Sequence, residues 1–321
     1  MLQIESMASA PSAKPRFDPR VLLAFFAIYI LWGTTFLAIR IAVHEMPPLL
    51  AAGSRFFIAG LLLFGVMRLG FPGVQRQPNP TKAEWRNLTL VGLILFVANY
   101  SLLFWAERYI PSGIASVLSA TIPIFAVLLE MVVLRHQPFR WVVLLSALLG
   151  FAGVAVILLP TASQHPPLIP CLAILFGCVA WSSGTVLSRA IPLPASRPVT
   201  SGATMMLGGA ALLILSAAIG ELHPLPHIST RGYLAVLYLI TAGSLIGFTA
   251  YVWLLGHMSA TRVTSYAYIN PLVAVALGST LAHEPINLRM LVGAAIVLVS
   301  VFLILQTNKP GPSPATAISN E

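Results

Sequence analysis

The chain has 321 residues, of which 58% are hydrophobic and 8% charged, and its mean hydropathy is +0.89. A soluble domain carries about 25% charged residues, so most of this surface must face lipid rather than water. The formal net charge of +9 does not mark a nucleic-acid binder, because the 18 Lys and Arg residues lie mainly between apolar runs and form no basic stripe.

In chain order, residues 1–20 read as a polar, disordered cytoplasmic tail with Lys14, Arg16 and Arg20. The apolar run from about Val21 to Val43 is too long for a signal-peptide core, and no small-residue cleavage site follows it, so it reads as an uncleaved first span. Apolar windows then recur near 49–69, 87–106, 112–134, 140–160, 167–189, 198–220, 232–256, 262–282 and 288–306, before a second tail over 307–321. The expected fold class is therefore all-α, a polytopic membrane protein of ten transmembrane helices. Most connections are short and several carry proline (Pro47-Pro48, Pro111, Pro166-Pro167, Pro285), which makes consecutive helices antiparallel neighbours. With the N-terminus inside, thirteen Lys and Arg fall on the inner side and four on the outer, with Arg55 inside a span. That bias places both termini in the cytoplasm. Cys171 and Cys178 share one helix face, too far apart for a disulfide, and read as small packing residues.

The sequence is duplicated. WGTTFLAIR runs from Trp32 to Arg40, and WSSGTVLSR from Trp181 to Arg189. Trp105, Tyr109, Ser116 and Pro123 are followed 148 residues later by Trp253, His257, Thr264 and Pro271, and Pro138 and Pro285 keep nearly the same register. The halves are 21–160 and 161–306. Five helices each is an odd number, so the second half enters from the opposite side, giving an inverted repeat around a central site.

These segments, with MPPLLAAGSRFF, IPSGIASVLSATIPIF and TSYAYINPLVAVALGSTLAHE, resemble the EamA family of the drug/metabolite transporter superfamily over nearly all of 21–306. The resemblance implies a ten-helix inverted repeat in the inner (cytoplasmic) membrane of a bacterium, often exporting amino acids or other metabolites.

Pro123 and Pro271 are expected near the middle of the fourth and ninth helices. A mid-helix proline frees a backbone carbonyl, which lipid tolerates only where protein or a wet cavity satisfies it. The pair is therefore the expected hinge. Around it the sequence gathers Trp32, Thr35, Arg55, Asn99, Tyr100, Ser119, Thr121, Trp181, Ser182, Tyr266, Tyr268 and Asn270 as a substrate-binding cavity. Thr34, Ser116, Ser183, Thr264 and Ser265 lie nearby, and any one of these hydroxyls can instead bond a carbonyl of its own helix. Arg55, seven residues past Pro48, lies roughly 10 Å into the second helix. It is expected either to attract a substrate carboxylate or to pair structurally with helix-end carbonyls or Glu107. Arg40 and Arg189, at helix ends, are expected to snorkel.

No carboxylate or imidazole is expected at the membrane midplane. Asp18 lies in the tail, and Glu45, Glu84, Glu107, Glu221 and Glu284 lie at or near loops. Glu130 is the nearest coupling candidate, with an ion pair to Arg135 as its structural alternative, and the chain reads as a facilitator on this count. Neither paired membrane aspartates nor an HExxH motif is present, which speaks against an intramembrane protease, and no cofactor, metal or catalytic residue is expected. Gly243 and Gly247 form a GxxxG read as intramolecular packing or, less simply, dimerisation. The expected function is alternating-access transport of a small polar metabolite, an amino acid or relative, as efflux, with a passive channel or scaffold as the alternative. The expected partners are that metabolite and the bilayer, with no nucleic acid, in a monomer or homodimer.

Overall fold

A computed structural model describes residues 19–70, 73–129, 131, 140–158, 167–223, 227–257, 263 and 266–307. The expected tails up to 18 and beyond 307, and Glu130, Arg135, Pro138, Thr264 and Ser265, lie outside those residues, as does the Tyr268 side chain. The described structure is all-α. In chain order the helices are α1 Pro19–Glu45, α2 Pro48–Leu69, α3 Lys82–Ala106, α4 Ser112–Leu128, α5 Trp141–Leu158, α6 Leu168–Ala190 and α7 Arg197–Ala218. Then come α8 (Thr230–Tyr238, Leu239–Ile246 and Gly247–His257), α9 Tyr266–Leu281 and α10 Leu288–Thr307. Among them α1, α2, α3, α5, α6, α7 and α8 are long and apolar enough to cross a membrane, while α4, α9 and α10 are shorter apolar helices.

Local chemistry sets the helix starts. Pro47 and Pro48 open α2, where a missing N–H costs nothing. The N-terminus of α3 carries a capping box: the Thr81 hydroxyl accepts from the Glu84 amide at 3.2 Å, and the Thr81 amide donates to the Glu84 carboxylate at 2.7 Å. Two other N-termini are capped at long range. Glu221 accepts from the Leu49 and Leu50 amides of α2 (3.3 and 3.0 Å), and Glu284 from the Ser112 and Gly113 amides of α4 (2.9 and 3.2 Å). A carboxylate is favoured at a helix N-terminus by both the free amides and the macrodipole.

The helices pack by a consistent exchange of first-half and second-half partners. α2 packs on α7, α5 on α10, and α4 on α9; α1 lies against α8 and α9, and α3 and α4 lie against α6. The α2–α7 seam is lined with glycine. A Cβ at Gly53 would meet the Leu213 amide at 2.9 Å, and one at Gly202 the Phe64 amide at 2.7 Å, while Gly60 and Gly209 face the Met206 and Phe57 amides. These contacts rise along α2 as they fall along α7, so the two helices are antiparallel. α5 and α10 cross likewise through Gly150, Gly153 and Gly293, and Ser300 donates to the Ser146 carbonyl at 2.5 Å. Small residues let backbones approach where lipid supplies no hydrophobic drive between helices. The outward faces hold Leu61, Leu145, Leu172, Phe176, Ile214 and Phe302, all exposed.

Among the described residues, Ala27–Leu31 in α1, Leu93–Ala98 in α3 and Leu239–Ile246 in α8 are wound as π-helix. The latter two occupy corresponding places in the two halves. Such bulges leave carbonyls short of partners and accumulate at functional sites.

Candidate functional site

The break in α4 begins the site. The helix runs Ser112–Ser119, stops at Ala120–Thr121 and resumes at Ile122–Leu128. Pro123 therefore starts the second segment rather than bending one continuous helix, whereas Pro271 lies inside unbroken α9. Side-chain hydroxyls bond carbonyls on both sides of the break. Thr121 donates to the Leu118 carbonyl (2.7 Å), and from α6 Ser182 donates to the Ile122 carbonyl at 2.9 Å. The Cys178 thiol lies 3.7 Å from the same Leu118 carbonyl. Asn270 performs the matching service for α1. With its amide nitrogen toward the π-wound stretch, it donates to the Tyr29 and Ile28 carbonyls at 3.0 and 3.2 Å.

Between these repaired backbones lies a cavity of about 100 Å³, room for several waters at the roughly 10–15 Å³ each requires. Its polar lining includes Thr35, Arg55, Asn99, Ser116, Ser119 and Asn270, and its aromatic lining Trp32, Tyr100, Trp181, Phe248 and Tyr266. The Trp32 indole donates to the Gly243 carbonyl at 2.9 Å and stands edge-on to Tyr266, with ring centroids 4.9 Å apart. Tyr100 packs on Phe56 (4.4 Å) and Trp181 (5.8 Å).

Among the described residues, Arg55 is the one cavity-lining residue that carries a full positive charge, and it is 2% exposed. Its Nε donates to the Ser244 hydroxyl at 3.0 Å, and its guanidinium carbon stands 4.6 Å from the Phe56 ring centroid and 5.5 Å from that of Tyr100. Glycine at 243 makes room for it, since a Cβ there would lie 3.0 Å from the guanidinium and 2.8 Å from Thr35. Gly247 faces the Trp32 indole in the same way. The GxxxG of α8 is thus filled from within the chain. Among the described residues, the buried side-chain atoms lacking a protein hydrogen-bond partner are Arg55 Nη1, both Glu107 carboxylate oxygens and the Ser116 hydroxyl.

The two ends of the cavity differ. Beyond it, at the ends of α1, α3 and α9, Arg40 closes a seam between helix ends. Arg40 pairs with Glu284 at 3.1 Å and donates to the backbone carbonyls of Glu107 (3.3 Å) and Ile110. Arg40 therefore locks a helix-end seam instead of snorkelling. Glu284 simultaneously caps α4, also accepting from the Ser112 hydroxyl at 3.0 Å. Preceding it, His283 has φ 52, the left-handed region a non-glycine residue enters only when its surroundings hold it there. Toward the opposite end a second space of about 520 Å³ is lined by Ser188, Arg189, Arg197, Thr200 and Tyr251, and it shares Trp181 and Phe248 with the inner cavity. Trp181 and Phe248 therefore stand between the two spaces, while the Arg40–Glu284 pair ties the helix ends together on the other side.

The EamA-like transporter family profile matches residues 19–159 and 168–306, once for each half. The chain belongs to this family. An uncharacterized inner membrane transporter of Escherichia coli, YedA, is 35% identical over 88% of this chain and 89% of its own length. The uncharacterized transporter YvbV of Bacillus subtilis is 28% identical over 96% and 98%. A protein of Escherichia coli named "Probable amino-acid metabolite efflux pump" is 24% identical over 86% and 91%. One solved crystal structure superposes with a TM-score of 0.59 at 22% identity, over 89% of this chain and 96% of that one, and shows the fold alone. This EamA-like chain is a multi-pass transporter of the inner membrane.

Of the residues singled out in the sequence, Trp32, Thr35, Arg55, Asn99, Tyr100, Ser119, Trp181, Tyr266, Asn270, Pro123 and Pro271 border the one cavity. Thr121 and Ser182 are buried beside it, bonded to α4 carbonyls. Phe248 lines the cavity without a polar group to mark it in the sequence, although its place 148 residues after Tyr100 makes it that residue's counterpart. Glu107, an acid beside a loop in the sequence, is 0% exposed in the fold.

Proposed function

We propose that the chain crosses the membrane ten times as two oppositely inserted five-helix halves and exports a small amino-acid-like solute by alternating access. The antiparallel crossing of α2 with its counterpart α7, and of α5 with α10, supports the inverted arrangement. The lysine and arginine bias puts the Arg40–Glu284 seal at the outer face and the Arg189–Arg197 space at the cytoplasmic face. In that orientation the joined outer helix ends and the space on the cytoplasmic side support reading this conformation as inward-open. A sealed outer end favours a carrier over an open pore.

One observation carries the substrate class. Arg55 lines the chamber with Nε anchored on Ser244 and Nη1 unpartnered, so a held cation offers a free donor to an anionic group. A carboxylate bound there gains a charge-assisted hydrogen bond, and the surrounding rings accept an apolar side chain. The relative named as an amino-acid metabolite efflux pump is consistent with this reading.

Thermal stabilisation of the purified protein tests it. Leucine and related amino acids should raise the unfolding temperature of the wild type, and their decarboxylated amines should not. Arg55→Ala should abolish the shift, since a hydrogen bond to a charged group is worth about 1.5–3 kcal/mol, or roughly 10- to 100-fold in affinity. Equal stabilisation by the amines, or full retention in Arg55→Ala, would remove the carboxylate from the recognition.

A further inference from the structure

Glu107 stands one residue beyond the apolar span of α3, inside the outer seal. Its backbone carbonyl accepts from Arg40, but neither carboxylate oxygen has a hydrogen-bond partner, and the ion pair formed there joins Arg40 to Glu284 instead. The charged groups facing it are Arg40 from α1, Arg55 from α2 and Glu284 from the α9–α10 turn. An ionised carboxylate buried without a hydrogen bond is among the most costly arrangements a protein interior holds, whereas a protonated one loses far less. Burial, then the neighbouring Glu284, push this carboxyl well above the ordinary glutamate range against the pull of Arg40 and Arg55.

We propose that Glu107 is a proton-binding site of the outer seal, and that its protonation is the condition on which the seal closes. The role in the cycle rests on the transport reading above. With the seal shut, the neutral Glu107 leaves the Arg55 charge uncompensated and available to a substrate carboxylate. When Arg40 and Glu284 part, water reaches Glu107. The O–H bond breaks, the proton passes to that water, and the electron pair stays on a carboxylate that attracts Arg40 and Arg55. Glu107 and the substrate anion are thus alternatives at one cation, and ionisation of Glu107 favours release to the outside. Resealing needs a proton from the outer solution.

Two measurements test this, and the first needs no substrate. The infrared spectrum of the purified wild type at neutral pH should contain the carbonyl stretch of a protonated carboxylic acid. That band should vanish in the isosteric Glu107→Gln and persist in Glu45→Gln. No such band, or one unchanged in Glu107→Gln, overturns the proposal. The second uses proteoliposomes carrying labelled leucine, with pH set separately on the two sides. Raising the pH at the sealed face alone should lower wild-type exchange several-fold, because closure then requires burying a charge. Glu107→Gln, permanently neutral, should exchange with a flat outer-pH profile, and Glu107→Asp should recover the slope. A slope retained in Glu107→Gln overturns the gating role. Absence of leucine exchange in the wild type counts against the amino-acid reading alone, and the infrared result then decides the proton site.

Discussion

The two halves share a backbone plan and differ in charge. Gly53 and Gly60 of α2 recur 149 residues later as Gly202 and Gly209 of α7, and the π-wound stretches of α3 and α8 correspond. At the same spacing Arg55 corresponds to Thr204, and at 148 residues Tyr100 corresponds to Phe248 and Glu107 to Leu255. Arg55 reaches across to Ser244, whereas Thr204 bonds the carbonyls of Thr200 and Ser201 in its own helix at 2.8 and 3.1 Å. Symmetry is kept at the glycines where backbones meet, and dropped at the buried cation that lines the chamber. The scaffold belongs to both halves; the buried Arg55 and Glu107 belong to the first, while Glu284, which completes the ion pair with Arg40, belongs to the second.

Seam glycines give the largest test of the shared plan. Gly60→Leu and Gly209→Leu each drive a side chain into backbone of the facing helix. Overpacking of this kind costs about 1–3 kcal/mol and occasionally more. The two variants should lower the unfolding temperature in detergent by similar amounts, while Gly65→Leu, with nothing near its Cβ, should not. A large loss from one seam glycine alone would break the equivalence of α2 and α7. The next effect tests the asymmetry. Arg55→Thr should weaken amino-acid binding by the roughly 10- to 100-fold of a lost charged hydrogen bond, and Thr204→Ala should leave it unchanged. Equal effects at both positions would mean that α7 binds the solute as well.

The duplication, the apolar spans and the polar clusters at the two prolines were legible because each is a local pattern with a fixed period. The same spacing made Phe248 findable from Tyr100, and the α2–α7 glycines findable from each other. Other features leave no local trace. Of the two corresponding π-wound stretches, Leu93–Ala98 contains neither proline nor glycine and Leu239–Ile246 contains one glycine, Gly243, so no shared proline or glycine marks them. The α4 break falls two residues before Pro123, where the Thr121 hydroxyl bonds the Leu118 carbonyl and Ser182 of α6 bonds the Ile122 carbonyl. Glu107 reads as a loop acid until the α9–α10 turn folds over it, a closure made by residues more than 170 positions away.

Opening the seal gives an effect of intermediate size. Arg40 and Glu284 are 25% and 7% exposed, so their pair is only partly screened. Arg40→Ala removes that pair and the donors to the Glu107 and Ile110 carbonyls, a loss of about 1–3 kcal/mol. A cysteine at Ser116, which borders the chamber, should then react with a membrane-impermeant thiol reagent applied at the sealed face. The same cysteine in the otherwise wild-type chain should stay protected. Unchanged protection would place the seal elsewhere.

The smallest expected effect separates the aromatic counterparts. The Tyr100 ring faces the Arg55 guanidinium at 5.5 Å, whereas Phe248 stands beside Trp32 with ring centroids 5.7 Å apart. A cation–π contact contributes about 0.5–1 kcal/mol at exposed sites and 2 or more when desolvated. Tyr100→Leu should therefore weaken amino-acid affinity by several-fold, and Tyr100→Phe, which keeps the ring, by much less. Phe248→Leu widens the passage between the two spaces without touching Arg55, so it should alter exchange rate more than affinity. If Tyr100→Leu and Phe248→Leu changed affinity alike, the rings would act only as an apolar wall, and the held cation would owe its position to Ser244 and Phe56.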